Sequence, residues 1–149
     1  MNEEIHNLLE MHQLTLASVL KRFIAFIIDD FLMSVVFIFI IWNDFEKATS
    51  SVQMINIMDS YILVYMLLKI IYQTLFAYMY GATLGKMVMK IKIIDIKTLQ
   101  KPSLTASFNR AVFRIVSEMI FYLGFLWGVL NPTRQTWHDL TAKTLVINV

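Results

Sequence analysis

The stretch FIAFIIDDFLMSVVFIFIIW, residues 23–42, is an apolar run with two adjacent acids, Asp29 and Asp30, inside it. At ~1.5 Å rise per residue, about 20 helical residues cross the ~30 Å hydrocarbon core of a bilayer. An ionised Asp at that depth costs at least about 2.5–3.5 kcal/mol, so such residues point to a site and raise the question of their partners. Lys21 and Arg22 mark the entry to the run, and Trp42 marks its exit, where interfacial aromatics collect.

A second apolar run, residues 57–80, carries Lys69 and Gln73 four residues apart, on one face of a helix. Counted from Arg22, Asp29 and Asp30 lie ~10–12 Å deep, and Gln73 lies about as far in from Tyr80, with Lys69 one turn deeper. These depths predict a polar seam of Asp29, Asp30, Lys69 and Gln73 between two antiparallel spans, with Lys69 tuning Asp29. Glu118, Arg110 and Arg114 are its candidate third-segment members. Ala25, on the stripe between Arg22 and Asp29, leaves room for another element to approach.

The rest of the chain agrees with a membrane protein. Its 149 residues are one domain's worth, and 58% of them are hydrophobic, against roughly 45–50% in soluble chains. There is no cysteine, which removes disulfides and Cys-ligated metals. The acidic opening Asn2-Glu3-Glu4 argues against a cleaved signal peptide. The net charge of +2 hides an uneven distribution. Between Gly81 and Glu118, Lys86, Lys90, Lys92, Lys97, Lys101, Arg110 and Arg114 face Asp95 alone among acids. Short basic segments stay in the cytoplasm, so the reading is a multi-pass cell (inner) membrane protein with a cytoplasmic N-terminus. Lys86, Lys90 and Lys92 are then candidates for contact with lipid headgroups.

The fold class that follows is an all-α membrane protein in a single domain, residues 1–149. Residues 1–20 read as an amphipathic interfacial helix, with Ile5, Leu8, Leu9, His12, Leu16 and Leu20 at mostly three- and four-residue steps. Spans 23–42 and 57–80 follow, then a basic cytoplasmic segment, 81–103. Its β-branched stretch 87–95 is expected to pair with 144–149 as a small hairpin-like element. Residues 104–131 form a third apolar helical segment: a re-entrant pair broken near Gly124, or one short slanted span. A C-terminal block, 132–149, closes the chain.

Chemical motifs are sparse. Gly81-Ala-Thr-Leu-Gly85-Lys86 has three residues between its glycines and Met87 after the lysine, so it is not a phosphate loop. Its glycines instead suit a tight turn and a close backbone approach. His138 and Asp139 are adjacent and point apart on a helix, which favours capping or anchoring over a proton-shuttling dyad. No metal-ligand spacing, cofactor motif or nucleophile triad is read, the basic residues lack the interleaved aromatics of nucleic-acid binding, and an enzyme is not expected.

Several of these blocks together carry a resemblance. Arg22-Phe-Ile-Ala-Phe-Ile-Ile-Asp29, Gly81-x-Thr83-x-Gly85-Lys86, Ile94-Asp95 and Asn131-Pro-x-Arg134-x-x-Trp137-His138-Asp139 resemble, in order, the blocks of the RDD family of bacterial integral membrane proteins. The resemblance implies that Arg22, Asp29 and Asp139 are the arginine and two aspartates of the family's name, and that Asp30 is an additional acid. Asn131 stands where many members have Asp. The resemblance also implies transport, with ion–proton exchange attributed to some members. It leaves two arrangements open: Arg22 pairs with Asp139, or Arg134 reaches Asp29.

Two functions follow from the residues. The first is ion- or proton-coupled transport of an unknown ligand through the Asp/Lys seam, which with so few spans requires a homo-oligomer or a partner membrane protein. The second is a non-catalytic membrane scaffold or partner-binding subunit whose charges serve assembly.

Overall fold

Two long helices carry the apolar runs in the computed structural model, which describes residues 2–149. Helix α1 spans Asn2–Met11, α2 Val19–Glu46 and α3 Ser51–Tyr80. Both long helices start on a serine: Ser18 Oγ accepts from Lys21 N and Ser50 Oγ from Gln53 N, each satisfying an orphan amide of the first turn. Helix α3 stops at Gly81, whose φ of 69° lies in the left-handed region and whose N–H bonds Ala77 O. The helices outrun the expected spans 23–42 and 57–80 at their outer ends. There Tyr61 donates to Asp44 at 2.7 Å.

Next come α4 (Leu84–Val88), strand β1 (Ile91–Asp95), α5 (Leu104–Met119), α6 (Leu123–Leu130), α7 (Trp137–Ala142) and strand β2 (Thr144–Asn148). Strands β1 and β2 pair antiparallel, from Ile91 opposite Asn148 to Asp95 opposite Thr144. The expected pairing is present, but it is not a hairpin, because α5, α6 and α7 lie between the strands. The expected strand also began too early. Met87 and Val88 belong to α4, a short helix that packs on α2 through Gly85 and leaves these two side chains exposed.

The N-terminal segment departs from its reading as well. Helix α1 ends at Met11, and Gln13 takes a φ of 53° that turns the chain. Residues 15–17 then run along the free edge of β2, with Ala17 N bonding Val146 O and Asn148 N bonding Thr15 O. Leu16 is therefore extended, not helical. Ile5 and Leu9 of α1 bury against Ile94, Leu145 and Ile147 of the sheet. A second buried cluster joins Ile91, Ile93 and Val146 to Ala25 of α2 and Ala77 of α3. Both chain ends and the sheet therefore sit at one end of the helix pair.

Helices α5 and α6 leave that end and return to it, because β1 precedes them and β2 follows. They meet at 104° across a break at residues 120–122, where Phe121 and Tyr122 have positive φ. The expected break near Gly124 is present just before it, and Gly124 itself is buried in the first turn of α6.

Helix α5 is amphipathic in the opposite sense to a soluble helix. Its buried face is Ser107, Arg110, Ala111, Arg114 and Ser117, and its exposed face includes Leu104, Phe108, Phe113, Val116 and Met119. Helices α2 and α3 follow the same rule, burying Asp29 and Lys69 while exposing Phe31, Phe39, Leu63 and Leu67. Water would reverse both preferences; a hydrocarbon surround permits them.

Candidate functional site

The charged residues form three linked clusters where α2, α3, α4, α5 and α7 meet. The first surrounds Asp29, which is 1% exposed. Its Oδ1 accepts from Tyr72 Oη at 2.7 Å and from Gly85 N at 2.8 Å, and its Oδ2 accepts from Thr83 Oγ1 at 2.6 Å. Tyr72 Oη in turn accepts from Leu84 N. Segment 83–85 folds back onto α2, and glycine permits it: a Cβ at Gly85 would lie 2.1 Å from the Ala25 carbonyl oxygen. Three donors to one carboxylate, each worth about 1.5–3 kcal/mol to a charged acceptor, make Asp29 a fastener between spans and the segment after them.

The second cluster lies deeper along α3. Lys69 Nζ donates to Asp30 Oδ1 at 2.8 Å and to Glu118 Oε2 at 2.5 Å. Arg114 Nε donates to Glu118 Oε1 at 3.2 Å, with its guanidinium 4.9 Å from the ring of Phe26 and 6.0 Å from that of Phe125. The Lys69 side chain is 7% exposed but that of Asp30 is 35% exposed, so one end of the relay opens at the protein surface.

The third cluster is built on Asp139, which is fully buried. Arg110 Nη1 donates to its Oδ1 at 2.5 Å, and Arg22 Nη2 bonds its Oδ2. Thr136 adds its backbone N–H and hydroxyl to Oδ2 at 3.0 and 2.8 Å, which ties the start of α7. Arg110 also donates to the Thr144 hydroxyl of β2, and Arg22 to the Arg134 carbonyl. Burial alone would raise Asp139, but the Arg22 and Arg110 guanidiniums outweigh it and hold the carboxyl well below its usual range.

His138 is buried beside it, and burial keeps its proton affinity well below that of an ordinary histidine. Because the Thr136 hydroxyl donates to Asp139, His138 Nε2 is the donor in its 2.9 Å contact with Thr136 Oγ1. Its Nδ1 has no partner among the described residues.

The expected seam is thus real but divided differently. Lys69 pairs with Asp30 and Glu118, not with Asp29. Gln73 is half-buried and makes no hydrogen bond to Asp29, Asp30 or Lys69. Of the two arrangements left open, Arg22 pairs with Asp139. Arg134 does not reach Asp29 but donates to the carbonyls of Leu16 and Ala17, holding the edge segment. Lys86 is not at a lipid surface: it is 9% exposed, and its ammonium donates to Thr83 Oγ1 at 3.4 Å. Lys90 is exposed and Lys92 half-buried, so both stay available at the surface.

Tyr72, Thr83 and Gly85 as partners of Asp29, and Arg110 and Thr136 as partners of Asp139, were not read from the sequence in these roles. Thr83 and Gly85 lay within the quoted glycine block, whereas nothing in the spacing of Tyr72 marks it.

The sequence model described as the RDD family matches residues 16–143, which takes in the three clusters apart from Thr144. An uncharacterized protein of Rickettsia prowazekii (strain Madrid E) is 33% identical over 72 residues, 48% of this chain. The match spans 39% of that relative's length. No solved structure matches the chain.

Proposed function

This chain belongs to the RDD family, and on that premise we propose that it is a component of an ion- or proton-coupled membrane transporter rather than an enzyme. The observation that carries the proposal is the unequal relay Asp30–Lys69–Glu118–Arg114. Glu118 holds both Lys69 and Arg114, while Asp30 holds Lys69 alone and is one-third exposed. A proton or a monovalent cation arriving at Asp30 removes the attraction on that side and leaves Lys69 to Glu118. Because Asp30 is on α2, Lys69 on α3 and Glu118 on α5, ion occupancy shifts the balance between three segments. Charged residues held inside a membrane domain are costly and commonly mark ion pathways.

The outer halves of α2 and α3 expose Phe39, Trp42, Ile55, Ile62 and Leu63. One copy offers only a two-helix hairpin at that depth, so the pathway is completed by further copies or a partner membrane protein. The Lys90–Lys92 side of the sheet faces the cytoplasm of a cell membrane, with the N-terminus beside it, as its basic character favours. There Lys90 and Lys92 are suited to anionic lipid headgroups.

The three-donor fastening of Asp29 and the fully paired Asp139 suit a scaffold equally well, and the two readings separate in one experiment. Purified protein in proteoliposomes, under imposed pH and Na⁺ or K⁺ gradients, is expected to give flux that Asp30→Asn abolishes without loss of abundance or change of oligomeric state. No flux from the parent protein, with the variant altering only assembly, would leave the scaffold reading standing.

A further inference from the structure

Among the described residues the buried lysines and arginines are Lys69, Lys86, Arg110 and Arg114. Lys69 is paired with Asp30 and Glu118, Arg110 with Asp139, and Arg114 with Glu118. Lys86 has no carboxylate in ion-pair contact; its ammonium donates at 3.4 Å to Thr83 Oγ1. That hydroxyl is already committed as a donor to Asp29 Oδ2 at 2.6 Å. Ammonium, hydroxyl and carboxylate therefore stand in one donor chain that runs from α4 into the first span.

The surroundings make this lysine a strained place for a charge. Arg22 and Asp29 act on it from α2, Arg110 and Arg114 from α5, and the Tyr72 hydroxyl of α3 lies on the other side of Asp29. Taken together, Arg22, Lys69, Lys86, Arg110 and Arg114 outnumber Asp29, Asp30, Glu118 and Asp139 by one positive charge. The proton on Lys86 is the excess.

We propose that Lys86, Thr83 and Asp29 form a proton-exchange site, in which Lys86 trades its proton with water on the sheet side and Thr83 links it to the carboxylate. The transfer balances without any other reactant. The Lys86 ammonium gives a proton to Thr83 Oγ1 while Thr83 passes its own hydroxyl proton to Asp29 Oδ2. A neutral amine, an intact hydroxyl and a carboxylic acid remain; the same two transfers in reverse return the proton to the amine, and the ammonium exchanges it with water, one proton leaving as one arrives. The exchange cancels the charge of an ammonium that has one hydroxyl at 3.4 Å to solvate it. Burial, opposed by Asp29, pulls Lys86 down to about 7. The site shares no residue with the Asp30–Lys69–Glu118 relay, so the failure of one does not decide the other.

Competitive acetylation of the full chain in detergent micelles, with trace isotopic acetic anhydride across pH and mass-spectrometric readout, tests it lysine by lysine. Lys86 is expected to titrate near neutrality, well below the ordinary lysine value of 10.5. Asp29→Asn removes the countercharge and Thr83→Val the hydrogen-bond acceptor. Each is expected to lower the Lys86 midpoint by about one pH unit, a roughly tenfold loss of proton affinity. Lys86 titrating at the ordinary lysine value of 10.5, or a midpoint that neither variant moves, would overturn the proposal.

Discussion

Replacing Asp139 with Asn should destabilise the chain more than any single change at the membrane seam. The substitution keeps the shape of the side chain and removes its charge, leaving Arg110 buried and Arg22 largely so around a neutral amide. Removing one partner of a buried ion pair costs about 3–5 kcal/mol, because the remaining charge is left uncompensated. With a total stability of about 5–15 kcal/mol for a domain, that is a large fraction of what holds the fold.

At roughly 2–4 °C per kcal/mol for a chain of this size, the midpoint of thermal unfolding should fall by about 6–20 °C. The assay is thermal unfolding of the purified protein in one fixed detergent, with Arg22→Met and the double variant alongside. The Arg22 side chain is 14% exposed, so Arg22→Met alone should cost less. The double variant should fall short of the sum of the singles, since both remove one contact. If Asp139→Asn unfolds within about 2 °C of the parent, or if the two changes add fully, the clamp does not have the energetic role assigned to it.

Gly85→Ala should separate α4 from α2, since its Cβ would stand 2.1 Å from the Ala25 carbonyl; a loss of about 1–3 kcal/mol in thermal unfolding is expected. Lys69→Met should destabilise more than Asp30→Asn, because it strands Asp30 and takes from the more buried Glu118 one of its two cations. Adding Asp30→Asn should recover part of the loss, read by the same unfolding midpoint.

The pH dependence has a definite sign. Lys86 binds its proton less tightly folded, at about 7, than at its ordinary value of 10.5, so between these pH values the unfolded chain carries more protons. Stability should therefore rise with pH through that window, and Lys86→Met should flatten the rise in unfolding midpoints. His138, also lowered, acts in the same direction at lower pH: stability should fall as pH drops through its ordinary value of 6.5, and His138→Gln should remove that slope.

Much of this architecture is legible in the residues. The apolar runs give both long helices, and the β-branched ends of the basic segment and of the chain give the strand pair. The marginal length of the third apolar run, together with that pairing, gives its return to the same side. Partnership within the seam is where the reading fails. Asp29 and Asp30 are ~100° apart on one helix, so spacing cannot say which of them faces Lys69.

Depth counting from Arg22 and Tyr80 also assumed that the chain leaves the membrane after Gly81. Instead, segment 83–85 folds back and supplies Asp29 with two of its three donors. Lys86 looked like one more positive-inside charge because only that fold-back buries it. Helix α1 stops short of its periodic pattern for a similar reason: the free edge of β2 offers residues 15–17 backbone partners that a helix would forgo.

The most direct test of the central claim is to count protons released when Na⁺ or K⁺ is added to the purified protein in weakly buffered detergent solution at constant pH. Competition between a proton and a cation at Asp30 predicts release from the parent protein and none from Asp30→Asn. No release from the parent, or equal release from both, would contradict ion exchange at the Asp30–Lys69–Glu118 relay.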